Sequence, residues 1–183
     1  PVFETAQYQL IGAPRLALDV AIDTAKAQGF EPVVLGYEIE GEARELGAAH
    51  AQEALSRLQT DGPLALISGG ELTVTLSGQG RGGPNREYAL ALALGLAGSA
   101  RVHALAVDTD GADGAPTEDG SPVAGATVFP DTLDRAGALG LDAAASLADN
   151  DAGGFFSALG DDLRPGLTGT NVNDLRVILI DPS

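Results

Sequence analysis

The chain has 183 residues, 26 of them acidic and 10 basic, for a formal net charge of −16. Such a balance disfavours nucleic acid and anionic membrane surfaces as partners. The absence of cysteine removes disulfides, thiolate nucleophiles and cysteine-held zinc or iron–sulfur centres. No window reaches the roughly 18 uncharged apolar residues of a membrane span, and no basic stretch followed by an apolar run opens the chain. A soluble, cytoplasmic protein is the resulting expectation. There is no methionine and the first residue is Pro1, so the chain reads as a piece of something longer. Lys26, the only lysine, lies in a helix-like stretch, which excludes a G-x-x-x-x-G-K-[ST] phosphate loop.

Tyr8 to Ile11 is a short apolar run that predicts a strand, followed by Gly12 and by Pro14 at a helix-opening position. Leu16, Ala17, Val20, Ala21 and Ala25 then recur at helical spacing up to Gly29. Val33 to Leu35 predicts a second strand. Ala43, Leu46, Ala51, Ala54, Leu55 and Leu58 mark one face of a helix closed by Asp61-Gly62-Pro63. Leu64 to Ser68 is expected to be a third strand ending at Gly69-Gly70, and Leu72 to Leu76 a fourth. Tyr88 to Leu94 is apolar on every side, which predicts a buried helix between Asn85 and Gly98. Val102 to Val107 is a strand candidate, weaker helical stretches follow near 131–148 and 152–159, and Leu175 to Ile180 is the last strand. Strands alternating with helices imply an α/β protein: a layered α/β/α domain with a largely parallel or mixed sheet covered on both faces.

In such sheets ligands bind beyond the carboxyl ends of strands, and four loops carry suitable groups. Ser68-Gly69-Gly70-Glu71 would let backbone approach an anion, or would serve as a tight turn. Gly78 to Glu87 runs straight into the buried helix; its glycines free amides, the helix end is electropositive, and Arg81 and Arg86 can contact phosphate. The alternative is a hairpin end before a capped helix. Asp108-Thr109-Asp110-Gly111-Ala112-Asp113-Gly114 places three carboxylates, the oxygen ligands Mg²⁺ prefers, at a strand's end. Asp110, three residues past Val107, is expected to be fixed by the sheet, and Asp113 to lie further out in a flexible loop. Thr168 to Asp174 offers amides and hydroxyls to a small hydroxylated substrate. His50 and His103 read as structural, and no Ser-His-Asp or metal-histidine spacing occurs.

Taken in series, Ile11-Gly12, Arg15-x-Ala17-Leu18, Gly29-Phe30, Glu40-Gly41-Glu42-Ala43-Arg44, Ser68-Gly69-Gly70-Glu71-x-Thr73-Val74, Gly82-Gly83-x-Asn85-x-Glu87, Asp108-Thr109-Asp110-Gly111-x-Asp113-Gly114 and Gly169-Thr170-Asn171-Val172-Asn173-Asp174 resemble the type II glycerate kinases. Residues from about 63 to 183 look like their C-terminal MOFRL domain, and 1–62 like the end of the larger α/β domain before it. The resemblance implies transfer of a phosphoryl group from ATP to D-glycerate, giving 2-phosphoglycerate, with Mg²⁺, in a cleft of which this chain supplies one wall. It implies catalytic roles for Asp110, Asp108, Asn85 and Glu87, with Asp110 also a metal ligand. Phosphate contacts are expected from Ser68, Gly69, Gly70, Glu71, Gly80, Arg81, Gly82, Gly83 and Arg86, and glycerate contacts from Thr170, Asn171 and Asn173. Many members carry arginine where this chain has Pro84, and Arg81 or Arg86 is expected to take over that charge. A family lysine that contacts the transferred group is expected in the preceding domain, the implied partner. Similar proteins are often labelled hydroxypyruvate reductases, but no G-x-G-x-x-G turn set in a βαβ unit with a ribose-binding acid is read here. A non-catalytic small-molecule-binding module is the rival reading.

Overall fold

The computed structural model describes residues 12–117 and 120–182; the strand expected at Tyr8 to Ile11 lies outside them. In chain order the elements are α1 (Pro14–Ala27), β1 (Glu31–Glu42), α2 (Ala43–Ser56), β2 (Leu64–Thr73), α3 (Pro84–Leu96), β3 (Val102–Asp108), β4 (Gly125–Val128), α4 (Thr132–Ala138), α5 (Ala143–Ala148), α6 (Ala152–Leu159), β5 (Asp162–Leu163) and β6 (Asp174–Ile180). The strands form one mixed sheet in the order β1-β2-β6-β3-β4-β5. β1 and β2 run parallel, and β6 lies antiparallel between β2 and β3. The α/β class with a mixed sheet is thus as expected, and the sheet runs without a break across residues 62 and 63.

Side-chain alternation in β6 explains the layering. Asp174, Arg176, Ile178 and Ile180 are buried on one face, while Leu175, Val177 and Leu179 point to the other, as the period of two requires. The first face packs against α2, α3, α4, α5 and α6, with Leu66, Ala104, Ala106, Tyr88, Leu90, Leu92, Phe155 and Phe156 in its core. The second packs against α1, where Leu18 meets Ala65 and Ile67. Helix α3 is buried from Asn85 to Ala93, which accounts for a sequence with no polar face.

The Gly69-Gly70 pair does not end a strand. β2 continues through it to Thr73, so the expected turn at Ser68–Glu71 and separate strand at Leu72–Leu76 are both corrected. These glycines let β1 bulge against β2: Gly70 has φ +121°, and a Cβ there would sit 2.1 Å from Ile39 O, at the register shift between Gly36 and Ile39. Glycine inside a strand often marks such a close approach. β1 is likewise longer than Val33–Leu35 because pairing with β2 carries it on to Glu42.

Tyr88 on α3 meets His50 on α2, with Oη and Nδ1 2.9 Å apart. Burial, reinforced by the charge of nearby Arg176 and only partly offset by Glu53, lowers the His50 pKa to about 4. The unfolded chain binds this proton near 6.5 and the folded chain only near 4, so stability from neutral His50 is complete above about pH 6.5. It is lost as pH falls toward 4, amounting to about 3 kcal/mol at most. In His50→Gln, which cannot titrate, the stability deficit relative to the parent should therefore shrink between about pH 7 and pH 4.5, as read by urea denaturation at each pH. A deficit independent of pH would contradict a neutral, buried His50.

Candidate active site

The acidic loop after β3 is anchored at one point. Asp113 is buried and its carboxylate faces the first turn of α3: the amides of Asn85 and Arg86 donate to it at 2.8 and 3.0 Å, and Arg86 Nε donates at 3.1 Å. Arg86 Nη2 donates further to the carbonyls of Asp113 and Ala115, at 2.5 and 2.7 Å. Pro84 at the first helical position has no amide to satisfy, so Asp113 caps the amides that an anion would otherwise seek. Burial pushes the Asp113 pKa up, while Arg86 and the two amides pull it back. This overturns the picture of Asp113 as a mobile outer acid, and it removes most of the Arg86 guanidinium from the expected phosphate role.

From that anchor the loop returns to the sheet edge, where acids and amides converge. Asp108 ends β3 directly opposite Asp174, which begins β6. Asp108 Oδ1 accepts the Asp110 amide at 3.0 Å. Asp110 accepts the Ala112 amide at 2.8 Å and Asn171 Nδ2 at 3.3 Å. Asn85 Nδ2 bridges to Asp174 Oδ1 at 2.7 Å, and its own Oδ1 is buried with no partner among the described residues. Thr109 Oγ1 donates to the Asn173 carbonyl at 2.8 Å and receives the Val172 amide at 2.9 Å, while Thr168 Oγ1 donates to the Thr109 carbonyl at 2.6 Å. The segment 168–173, which holds Thr170, Asn171 and Asn173, is thereby laced to the acidic loop, as expected of parts of one site. Burial raises the Asp108 pKa to about 6, with the charges of Asp110 and Asp174 adding to the effect and the Asp110 amide opposing it.

Asp174 closes the Thr168–Asp174 segment singled out in the sequence, where it has no role of its own, and Arg176 lies inside what reads as a continuous apolar run. Arg176 is 1% exposed, pairs with Asp174, and stacks over the Tyr88 ring at 5.5 Å. A charged residue at a core-facing strand position was the available signal.

Other expected site residues stand elsewhere. Ser68 and Gly69 are buried within β2, where a Cβ on Gly69 would meet Leu18 Cδ1 at 2.6 Å, and Glu71 lies on the exposed side of that strand. Glu87 is bonded to residues outside the acidic cluster: it is buried, ion-paired with Arg44 at 2.7 Å, and accepts from Asn150 Nδ2 at 2.9 Å. The glycine loop is also occupied. The amides of Ser77 and Gly78 donate to Asn150 Oδ1, those of Gln79 and Gly80 to Asp149, and that of Arg81 to Asp151. A Cβ on Gly78, Gly80 or Gly83 would strike Asp149, Asp151 or Asp113 at 2.2–2.4 Å. Gly78, Gly80 and Gly83 do have the spacing G-x-G-x-x-G and lead through α3 to β3, which runs parallel to β2 and ends in Asp108. Their packing and the Asp113 carboxylate at the helix end leave no place there for a dinucleotide pyrophosphate.

A family model described as the MOFRL family matches residues 64–174. The mixed α/β sheet and its acidic loop are thus those of a MOFRL protein, and this chain belongs to that family. It is 44% identical over 180 residues to an Agrobacterium vitis protein that carries the provisional name hydroxypyruvate reductase, covering 95% of this chain and 40% of that one. It is 38% identical over 178 residues to D-glycerate 2-kinase of Thermotoga maritima, covering 95% and 42%. The crystal structure of glycerate kinase from Thermotoga maritima superposes with a TM-score of 0.87 over 95% of this chain and 42% of that one. The chain therefore spans about two fifths of the length of these relatives.

Removal of the anchor should be costly in a way that removal of its neighbour is not. Asp113→Ala leaves buried Arg86 without its counter-charge and uncaps α3, a loss of about 3–5 kcal/mol. Asp110→Ala, which gives up one loop amide and one side-chain bond, should cost no more than about 1.5 kcal/mol. Urea denaturation of the two variants gives the comparison, and equal losses would contradict the anchoring role.

Proposed function

We propose that this chain belongs to an ATP-dependent glycerate kinase and carries the wall of its site that orients glycerate for phosphoryl transfer. The observation that supports this most is the convergence of Asp108, Asp110, Asp174, Asn85 and Asn171 at the carboxyl end of β3, together with similarity to proteins named as glycerate kinases. Phosphoryl transfer asks for positioned groups and managed charge more than for covalent chemistry. Asp108 Oδ1 is occupied by the Asp110 amide, which leaves Oδ2 to accept the proton of the attacking glycerate hydroxyl. Asn171, Asn173 and Thr170 sit on the neighbouring segment to orient the substrate's hydroxyl and carboxylate oxygens, and Asn85 holds Asp174 at the floor.

The donor set also suits a magnesium ion held partly by substrate phosphates. Among the described residues no three carboxylates or imidazoles gather into a complete metal cage, whereas Mg²⁺ in kinases needs only one or two carboxylates. Asp110, beside Asp108, would hold it, and when bound it supplies neutralising charge to the phosphate oxygens.

In a protein of the relatives' full length, a coupled assay should detect ADP with glycerate and no hydride transfer with hydroxypyruvate. Asp110→Asn should lower kcat by about a hundredfold or more at saturating Mg²⁺. Hydride transfer without ADP would favour the reductase reading, and a near-normal kcat in Asp110→Asn would remove that residue from the mechanism.

A further inference from the structure

A cavity of about 490 Å³, which none of Asp108, Asp110 and Asp174 lines, is reached by Arg81, Arg86 and Arg164 and walled by Thr117, Gly153 and Ser157. Three of the chain's nine arginines meet here, in a protein of net charge −16. Dispersed cations would be expected on so acidic a surface, so their convergence needs a reason.

Each guanidinium keeps donors for the cavity. Arg164 uses Nη2 on Asp162, whose side chain is 3% exposed, and this holds the arginine while its other nitrogens make no bond among the described residues. Arg86 uses Nε and Nη2 on Asp113 and Ala115, while Nη1 makes no bond among the described residues. The absence of a side chain at Gly153 keeps that nitrogen clear, because a Cβ there would lie 2.9 Å from it. The Arg81 side chain makes no hydrogen bond or ion pair among the described residues, although its amide is held by Asp151. Asp151 also lines the cavity, with its Oδ1 turned to the amides of Arg81 and Gly154. Paired acids thus orient two of the arginines, and the N–H groups left over are charged donors that suit the oxygens of a tetrahedral oxyanion.

From this geometry we infer that the cavity between Arg81, Arg86 and Arg164 is a phosphate-binding site. The recognition falls to arginine side chains and not to the amides of residues 77–81, which are already bonded to residues 149–151. The site does not depend on the kinase reading: a phosphate group is claimed as ligand whether it belongs to a nucleotide, to a small phosphoester or to free inorganic phosphate.

Titration calorimetry of this chain with inorganic phosphate, ATP and 2-phosphoglycerate, each without added Mg²⁺, tests the inference. Saturable binding of at least one of them below about 10 mM is expected. The double variant Arg81→Gln/Arg164→Gln should weaken it about tenfold or more. Arg15→Gln, which removes an exposed arginine on α1, should leave it unchanged. ATP binding that excludes phosphate identifies a nucleotide as the source, and binding of phosphate or 2-phosphoglycerate but not ATP identifies a small anion. No saturable binding of any of the three overturns the proposal, as does binding that the double variant retains or that Arg15→Gln weakens equally.

Discussion

The contact between the Asp113 carboxylate and the first turn of α3 is the constraint on which the rest of this site depends. It joins two segments 28 residues apart, satisfies amides that have no acceptor within their own helix, and neutralises a buried arginine. Without it the acidic stretch between β3 and β4 would lose the positive charge of Arg86 that opposes its self-repulsion. With it, the loop that carries Asp110 is tied to α3, and Arg86, held by the same carboxylate, lines the cavity. Loop anchoring and arginine presentation are thus two consequences of one buried pair.

Charge is managed by position and not by total. Asp108, Asp110 and Asp174 stand close enough that Asp108 is pushed up to about 6, yet Asp174 is held in place by Asn85 and by wholly buried Arg176. A buried cation behind a row of acids lowers the cost of bringing them together. Arg176 also stacks on Tyr88, which in turn meets His50, so the polar chain reaches from the site through α3 to α2. The same sheet position that fills the core with Ile178 and Ile180 two and four residues later presents Arg176 to this chain of contacts.

Helices and core strands were legible because their signals are local. Pro14, the all-apolar stretch from Tyr88, and the run from Leu175 to Ile180 each have one comfortable burial pattern. Gly69-Gly70 was misleading because a turn and a close strand approach both need glycine, and only the bulge of β1 at Ile39 decides between them. Short β4 and β5 carry too few residues for a period. For the site, the acidic loop and the Thr168–Asp174 segment stood out by composition, and the hydrogen bonds from Thr109 and Asn171 unite them. The buried pairings of Asp113 with Arg86 and of Glu87 with Arg44 could not be read, because a carboxylate or a guanidinium in a sequence does not show its partner. Asp174 needed the antiparallel register with β3, which no local pattern encodes.

Amide hydrogen exchange followed by NMR tests the anchor most directly. First-turn amides of a helix ordinarily exchange fast, since they lack intrahelical acceptors. If Asp113 holds α3 as described, the amides of Asn85 and Arg86 will exchange as slowly as those of Leu90 and Leu92 in the buried middle of the same helix. Exchange at the rate of unbonded surface amides, with Leu90 and Leu92 still protected, would contradict the account.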